Sequence, residues 1–296
     1  MMELKPTAVN EDHPRAFERL VYYINERESI RKLREAGYPK PWTQDKILQT
    51  YRFCNVNRED DTVTQWIAKH WREPNAKDKD LWLAMVVARL INWPDTLYEL
   101  DYPHNLHSTD RFVNWGRKFL HTLHSRKAQH KKVFSGAYIV STNGHIMDKA
   151  DYLLVHVIRP MWDKKEFLRP QQTDSLASFA YRLTGFNGMG GFMAGQVIAD
   201  LKYAKGCPLY TATDWATWAL SGPGSRRGLN RLLGREKNAP WKEEAWHEQL
   251  YTLQKELKRK DITLHAQDVQ NNLCEFDKYE RVRLGTGRPR SLYPGV

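Results

Sequence analysis

Three features of the 296-residue chain predict a mainly α-helical fold. Apolar residues recur at three-and-four spacing along most of its length, the signature of helices with one buried face. A single run, VFSGAYIVST, has the β-branched and aromatic character of a strand. Between residues 181 and 201, two helical segments flank a tight turn containing Gly185, Gly188, Gly190 and Gly191, which makes a helix-hairpin-helix element. With no internal repeat and no low-complexity linker, one helical domain is expected over residues 1–296, closed by a basic tail (281–296) that orders only if docked.

The elements follow in order. Residues 14–36 place Phe17, Leu20, Val21, Ile24 and Ile30 near helical spacing, and Gly37 with two prolines stops the run. Thr43 suits the N-cap of the next stretch, 43–71, which NVNRED breaks into two helices. LWLAMVVARLI (81–91) is apolar all round and too short to cross a bilayer, so it predicts a buried core helix, stopped by Trp93 and Pro94. Residues 109–126 form an amphipathic helix followed by a basic, solvated HSRKAQHKK. VFSGAYIVST is a strand or, in a helical fold, an extended segment. Residues 148–162 and 175–183 return to helical spacing, the latter leading into the glycine turn. Residues 241–259 carry i, i+4 charge pairs on a helix, and 263–279 form the last one.

The charge points to an acidic partner. Forty-six Lys and Arg against 35 Asp and Glu give +11, and no long apolar run or basic amphipathic anchor favours a membrane, so nucleic acid is the partner expected. Three widely spaced cysteines build neither a disulfide framework nor a four-thiolate cluster, and the N-terminus lacks the pattern of a secretory signal, which together place the protein inside a cell. Eleven tryptophans and fourteen tyrosines supply a core and some rings able to stack on bases.

The glycine turn has a direct physical use. Gly188, Gly190 and Gly191 let backbone N–H groups approach a phosphate while the following helix, FMAGQVIADL, adds the positive end of its dipole. It is not a nucleotide loop: no GxxxxGK[ST] occurs in the chain, Gln196 stands where a Walker lysine would, and a helical segment precedes the turn. GMGGFMA followed by VIADL resembles the helix-hairpin-helix of the DNA glycosylase superfamily. Five ordered blocks resemble a bacteriophage family related to it, the amino acid:DNA transferases, also described as alpha-glutamyl/putrescinyl thymine pyrophosphorylases. They are PWTQDKILQTYRFCNVNREDDTVTQWI (41–67), SGAYIVSTNG (135–144), LTGFNGMGGFMAGQVIADL (183–201), GPGSRRGLNRLLGR (222–235) and HAQDVQNNLCEFDKYERV (265–282).

The resemblance implies a glycosylase-like helical fold acting on phage DNA in the cytoplasm of the infected bacterium. Its substrates would be DNA carrying an activated (pyrophosphorylated) 5-hydroxymethyluracil and an amino acid or polyamine that displaces the pyrophosphate. No redox cofactor is needed, and a divalent ion is left open. Such chemistry asks for cations on the leaving group and a base for the amine. Arg226 and Arg227, in the loop GPGSRRG, with Lys278, suit the first role; Asp214, Asp200 or Glu275 suit the second. Asp214 follows the second helix as a catalytic aspartate does in glycosylases of this type, and equally suits the N-cap of WATWAL. Phe192 stands near the position of a Schiff-base lysine, so lyase activity is not expected.

Other polar groups are candidate pocket residues. Arg52, Asn55, Arg58, Asp60 and Asp61 either knit helices together or line an amine pocket. Tyr138, Ser141 and Asn143 offer groups for the edge of a flipped pyrimidine, or close a polar turn. Asp268, Asn271, Glu275 and Lys278 share one helical face, with Gln270 beside them, as a salt-bridged seam or a site wall. No metal site is expected: His121 with His124, and His104 with His107, lack the partners that would complete one. Two alternatives accompany the transferase: a glycosylase cleaving a modified pyrimidine, and a non-catalytic DNA-binding helical module partnering a DNA base kinase.

Overall fold

The computed structural model describes residues 15–136, 140–289 and 292–293. They are helical, and no strand occurs among them. In chain order the helices are α1 (Ala16–Glu35), α2 (Lys46–Thr50), α3 (Thr62–Ile67), α4 (Leu81–Ile91), α5 (Pro94–Leu100), α6 (Thr109–Ala128), α7 (Lys149–Tyr152), α8 (Arg159–Asp163), α9 (Lys165–Leu168), α10 (Leu176–Thr184), α11 (Gly191–Leu201), α12 (Pro223–Leu232), α13 (Glu243–Lys258) and α14 (Ala266–Arg283). Two compact units result. Thr62–Trp215 makes one, and the segments before and after it make the other.

The flanking segments build their unit around α14. Leu20, Tyr23, Ile24 and Ile30 of α1, Phe53, Trp246 and Leu250 of α13, and Leu273 and Phe276 of α14 share one buried cluster. α12 lies along α14 at close range because its GSRRG stretch puts Gly224 and Gly228 on the contact. A Cβ at Gly224 would sit 2.3 Å from Cys274 Sγ, and one at Gly228 would sit 2.2 Å from the Leu273 carbonyl oxygen, so only glycine permits the approach. The tail docks where it is described. Tyr293 N–H donates to the Thr50 carbonyl at 3.1 Å, its ring meets Trp42 edge-on, and the Arg52 guanidinium lies 5.9 Å from that ring.

The Thr62–Trp215 unit is organised on α4, every residue of which is buried, as its unbroken apolar run requires. Arg89 interrupts that run and is itself fully buried. Its guanidinium holds Asp200 of α11 with two bonds of 2.6 Å and also donates to Asn92 and Thr64, so the charge is paired and hydrogen-bonded at once. Asn92 ends α4 in the left-handed conformation that asparagine tolerates. The helix predicted over 148–162 is present but interrupted: α7 and α8 are joined by a π-helical turn, Leu153–Ile158. A second π-helical turn, Ala68–Arg72, continues α3.

Several local expectations are corrected. Asp45, not Thr43, caps α2, accepting from Ile47 and Leu48 N–H groups. The described parts of VFSGAYIVST pair in no sheet, and residues 137–139 lie outside the described residues. WATWAL forms no helix, so Asp214 cannot cap it. The basic run HSRKAQHKK begins inside α6, and its Arg126 is buried and spent on the Lys132 carbonyl and Glu99, not solvated.

Removing the Asp200 carboxylate leaves Arg89 buried without its anion. Asp200→Ala should therefore cost about 3–5 kcal/mol of stability, read from urea unfolding, and an unchanged midpoint would show that the pair contributes nothing.

Candidate functional site

The helix that leads into the glycine turn is capped at its start. Ser175 caps α10 in a box with Ser178, and Asp214 adds its carboxylate, accepting from the N–H groups of Leu176 (2.7 Å) and Ala177 (3.0 Å). Asp214 thus stands at the positive end of α10, a structural anchor for the helix that enters the turn. Arg182, on the same helix, is tied to Asp174 by two bonds. Burial opposes ionisation of Asp174, but the Arg182 guanidinium and the Gln171 N–H outweigh it and hold the carboxyl below its usual range.

The turn itself uses its glycines differently. Gly188 has φ +75°, and a Cβ there would press 3.1 Å from Val157 of the π-helical turn, so both conformation and space call for glycine. Met189 is buried and pins the turn to the core. Gly190 is the N-cap of α11, with no side-chain cap and nothing within 4 Å of the position a Cβ would take. The start of α11 is therefore approachable from outside, with Gly190 and Gly191 leading it.

Beside the turn, Ser141 accepts from the Asn143 N–H, and the Asn143 amide donates to Tyr152 OH at 3.0 Å, so these two predicted pocket residues share one turn. Tyr138 lies outside the described residues.

In the other unit, the predicted polar residues converge on one extended segment. Residues 53–57 lie outside any helix or sheet and lead into a 3-10 turn at Arg58–Asp60, and α14 supplies side chains for their backbone instead. Glu275 accepts from Cys54 N–H (3.1 Å), Asn272 donates to the Val56 carbonyl (2.9 Å), and Asp268 accepts from Arg58 N–H (3.0 Å). Arg27 donates to the Phe53 carbonyl and Asn55 Oδ1, Asn55 to the Asp60 carbonyl, and Asp60 meets Arg31 at 3.2 Å. Asp61 is exposed at the end of this stretch, and Lys278 closes it with a 2.5 Å contact to Glu275. Burial lowers the Lys278 affinity for its proton, but Glu275 more than restores it, so the ammonium is held charged. The polar stripe of α14 is thus a seam. The thiols are shifted toward the protonated form: Glu275 raises Cys54, burial raises Cys274, and burial pushes Cys207 up to about 11.

Arg226 and Arg227 diverge. Arg226 donates to Ser221 (2.8 Å) and to Glu243 (2.7 Å), whereas Arg227 and Arg231 both meet the fully buried Asp277 at 2.9 Å. Asp277 and Arg89 carried no motif in the sequence; each is recognisable only once its partner, distant in the chain, is in place. His124, Asp148 and Asp151 lie close enough to hold a cation, but each imidazole nitrogen already faces a carboxylate and Lys127 pairs with Asp148, which makes them an ion-paired surface cluster.

The sequence profile of the family described as "5-hmdU DNA kinase, helical domain" matches residues 14–288. This chain belongs to that family. A 5-hmdU DNA kinase of Bacillus phage SP10 is 28% identical over 235 residues, which cover 72% of this chain and 36% of the relative. The chain therefore spans about a third of that relative's length. No solved structure matches. Membership of the kinase helical-domain family corrects the assignment to the amino acid:DNA transferases: a kinase, as that family is named, adds phosphate to DNA, whereas a transferase of that kind consumes a phosphate already present. No described helix is long and apolar enough to cross a membrane.

The loop before α12 has a pH signature. Burial pushes the Glu243 carboxyl up, but bonds from Ser221 and Arg226 outweigh it and hold it below its ordinary value. A depressed folded pKa means that the stabilisation is complete at neutral pH and is lost as pH falls through the ordinary carboxylate range to the lower folded value. Melting temperature should fall on that acid limb, less steeply in Glu243→Gln; identical slopes would discount the contact.

Proposed function

We propose that this chain is the DNA-holding helical part of a phage 5-hmdU DNA kinase, gripping DNA that carries 5-hydroxymethyluracil while a nucleotide-binding part transfers phosphate. The family match over residues 14–288 carries this reading. The sequence supports the division of labour: phosphoryl transfer depends on cradling a nucleotide's phosphates and metal, and the 296 residues contain no GxxxxGK[ST]. The charge of +11 supports DNA as the partner.

In this reading α10, the glycine turn and α11 act as a helix-hairpin-helix in a glycosylase-like fold. The N–H groups leading α11 meet a backbone phosphate at Gly190 and Gly191, and the dipole of α11 adds to the attraction. Ser141 and Asn143 lie beside this face and suit the edge of the modified base, while Arg52 is an exposed cation of the other unit available to phosphate. The carboxylates Asp200, Asp214 and Glu275 position structure here and transfer no proton.

With ATP and magnesium, the chain alone should leave 5-hydroxymethyluracil DNA unphosphorylated, and phosphate should appear when a P-loop kinase part is supplied, read by nucleoside mass analysis. Phosphate added by the chain alone would overturn the division. Gly190→Asp should weaken DNA binding by roughly tenfold at moderate salt, measured by anisotropy; equal affinity would remove the turn from the interface.

A further inference from the structure

The turn at residues 142–147 carries a side chain that the fold leaves wholly in water. Ile146 is 104% exposed, and its neighbours His145 and Met147 are exposed too. Scattered surface apolar residues need no explanation, but this one sits at the tip of a braced support. Asn143 and Gly144 both adopt positive φ, and the His145 N–H closes the turn on the Thr142 carbonyl at 2.9 Å. Behind the tip, the His145 ring stacks on His156 at 4.3 Å with 29° between planes, and His156 stacks on Tyr152, whose hydroxyl takes the Asn143 amide.

The same support carries the glycine turn. His156 is followed in the chain by Val157, and Val157 is the residue that Gly188 rests against; Val140, leading into the 142–147 turn, is 3.6 Å from the position of a Gly188 Cβ. One π-helical turn, Leu153–Ile158, therefore fixes the apolar tip relative to the phosphate-approachable start of α11. An apolar side chain on a braced turn beside a backbone-gripping element is suited to entering a base stack, because its burial between bases offsets the cost of parting them.

Resting on the DNA-holding function proposed above, we infer that Ile146 is a wedge that enters the duplex at a base step next to 5-hydroxymethyluracil and loosens that base from its stack. His145, His156 and Tyr152 are positioning residues that hold the wedge at its height. The ligand is duplex DNA at an unstacked step, and the contact is apolar and adds nothing to the salt dependence.

The experiment uses the full chain and a duplex with 2-aminopurine beside the 5-hydroxymethyluracil, a base whose fluorescence rises when it unstacks. Binding of the parent should raise the signal. Ile146→Gly should lose most of that rise, Ile146→Leu should retain it, and affinity by anisotropy should weaken by less than about tenfold, because the phosphate contacts stay. An unchanged rise with Ile146→Gly, or saturation by the parent without any rise, would overturn the wedge while leaving DNA holding intact. A parent that binds no DNA would overturn both, so the two failures read differently.

Discussion

Helix α14 satisfies what its neighbours cannot satisfy for themselves. An extended segment in a helical protein has no ladder for its N–H and C=O groups, and leaving them unpaired in a buried setting costs more than most single contacts return. Glu275, Asn272 and Asp268 meet that demand for residues 53–58 from one face of α14, while Leu273 and Cys274 on another face accept the bare backbone of α12 at Gly224 and Gly228. Close approach of the two helices also brings Arg227 and Arg231 onto Asp277, a carboxylate removed from water and offset by paired guanidiniums. Packing, backbone pairing and charge thus depend on the same eighteen-residue helix.

The Thr62–Trp215 unit solves a related problem at its centre. A helix as apolar as α4 can be buried on all sides only if its one arginine is neutralised, and Asp200 does this from α11. Because α11 is also the helix that follows the glycine turn, the pair anchors the turn to the core. Asp214 anchors the other side by capping α10. Asp200 and Asp214 are therefore committed to holding the helices on the two sides of the turn in place.

That commitment explains how the transferase reading arose and why it fails. Polar residues dense enough to suggest a catalytic pocket are what a helical fold with unpaired backbone also requires, and sequence spacing does not distinguish the two. The ordered blocks that suggested a transferase coincide with structural joints: the 53–58 segment, the α12 approach, the α14 seam and the glycine turn. Blocks of this kind follow the fold, and a fold can serve more than one chemistry. The match over residues 14–288 places the chain in the family described as "5-hmdU DNA kinase, helical domain" and not among the amino acid:DNA transferases.

By itself the sequence determined the elements that short-range physics controls. Helical spacing marked α1, α6, α13 and α14; the apolar run marked α4 as buried; and the glycines marked the turn between α10 and α11. Tertiary structure alone decided where the charged side chains point, because Arg89 and Asp200, Arg227 and Asp277, and Cys54 and Glu275 are brought together by helices far apart in the chain. Whether a carboxylate caps a helix, pairs with a buried arginine or faces a ligand is a property of what packs against it. Only the folded chain supplies that neighbour.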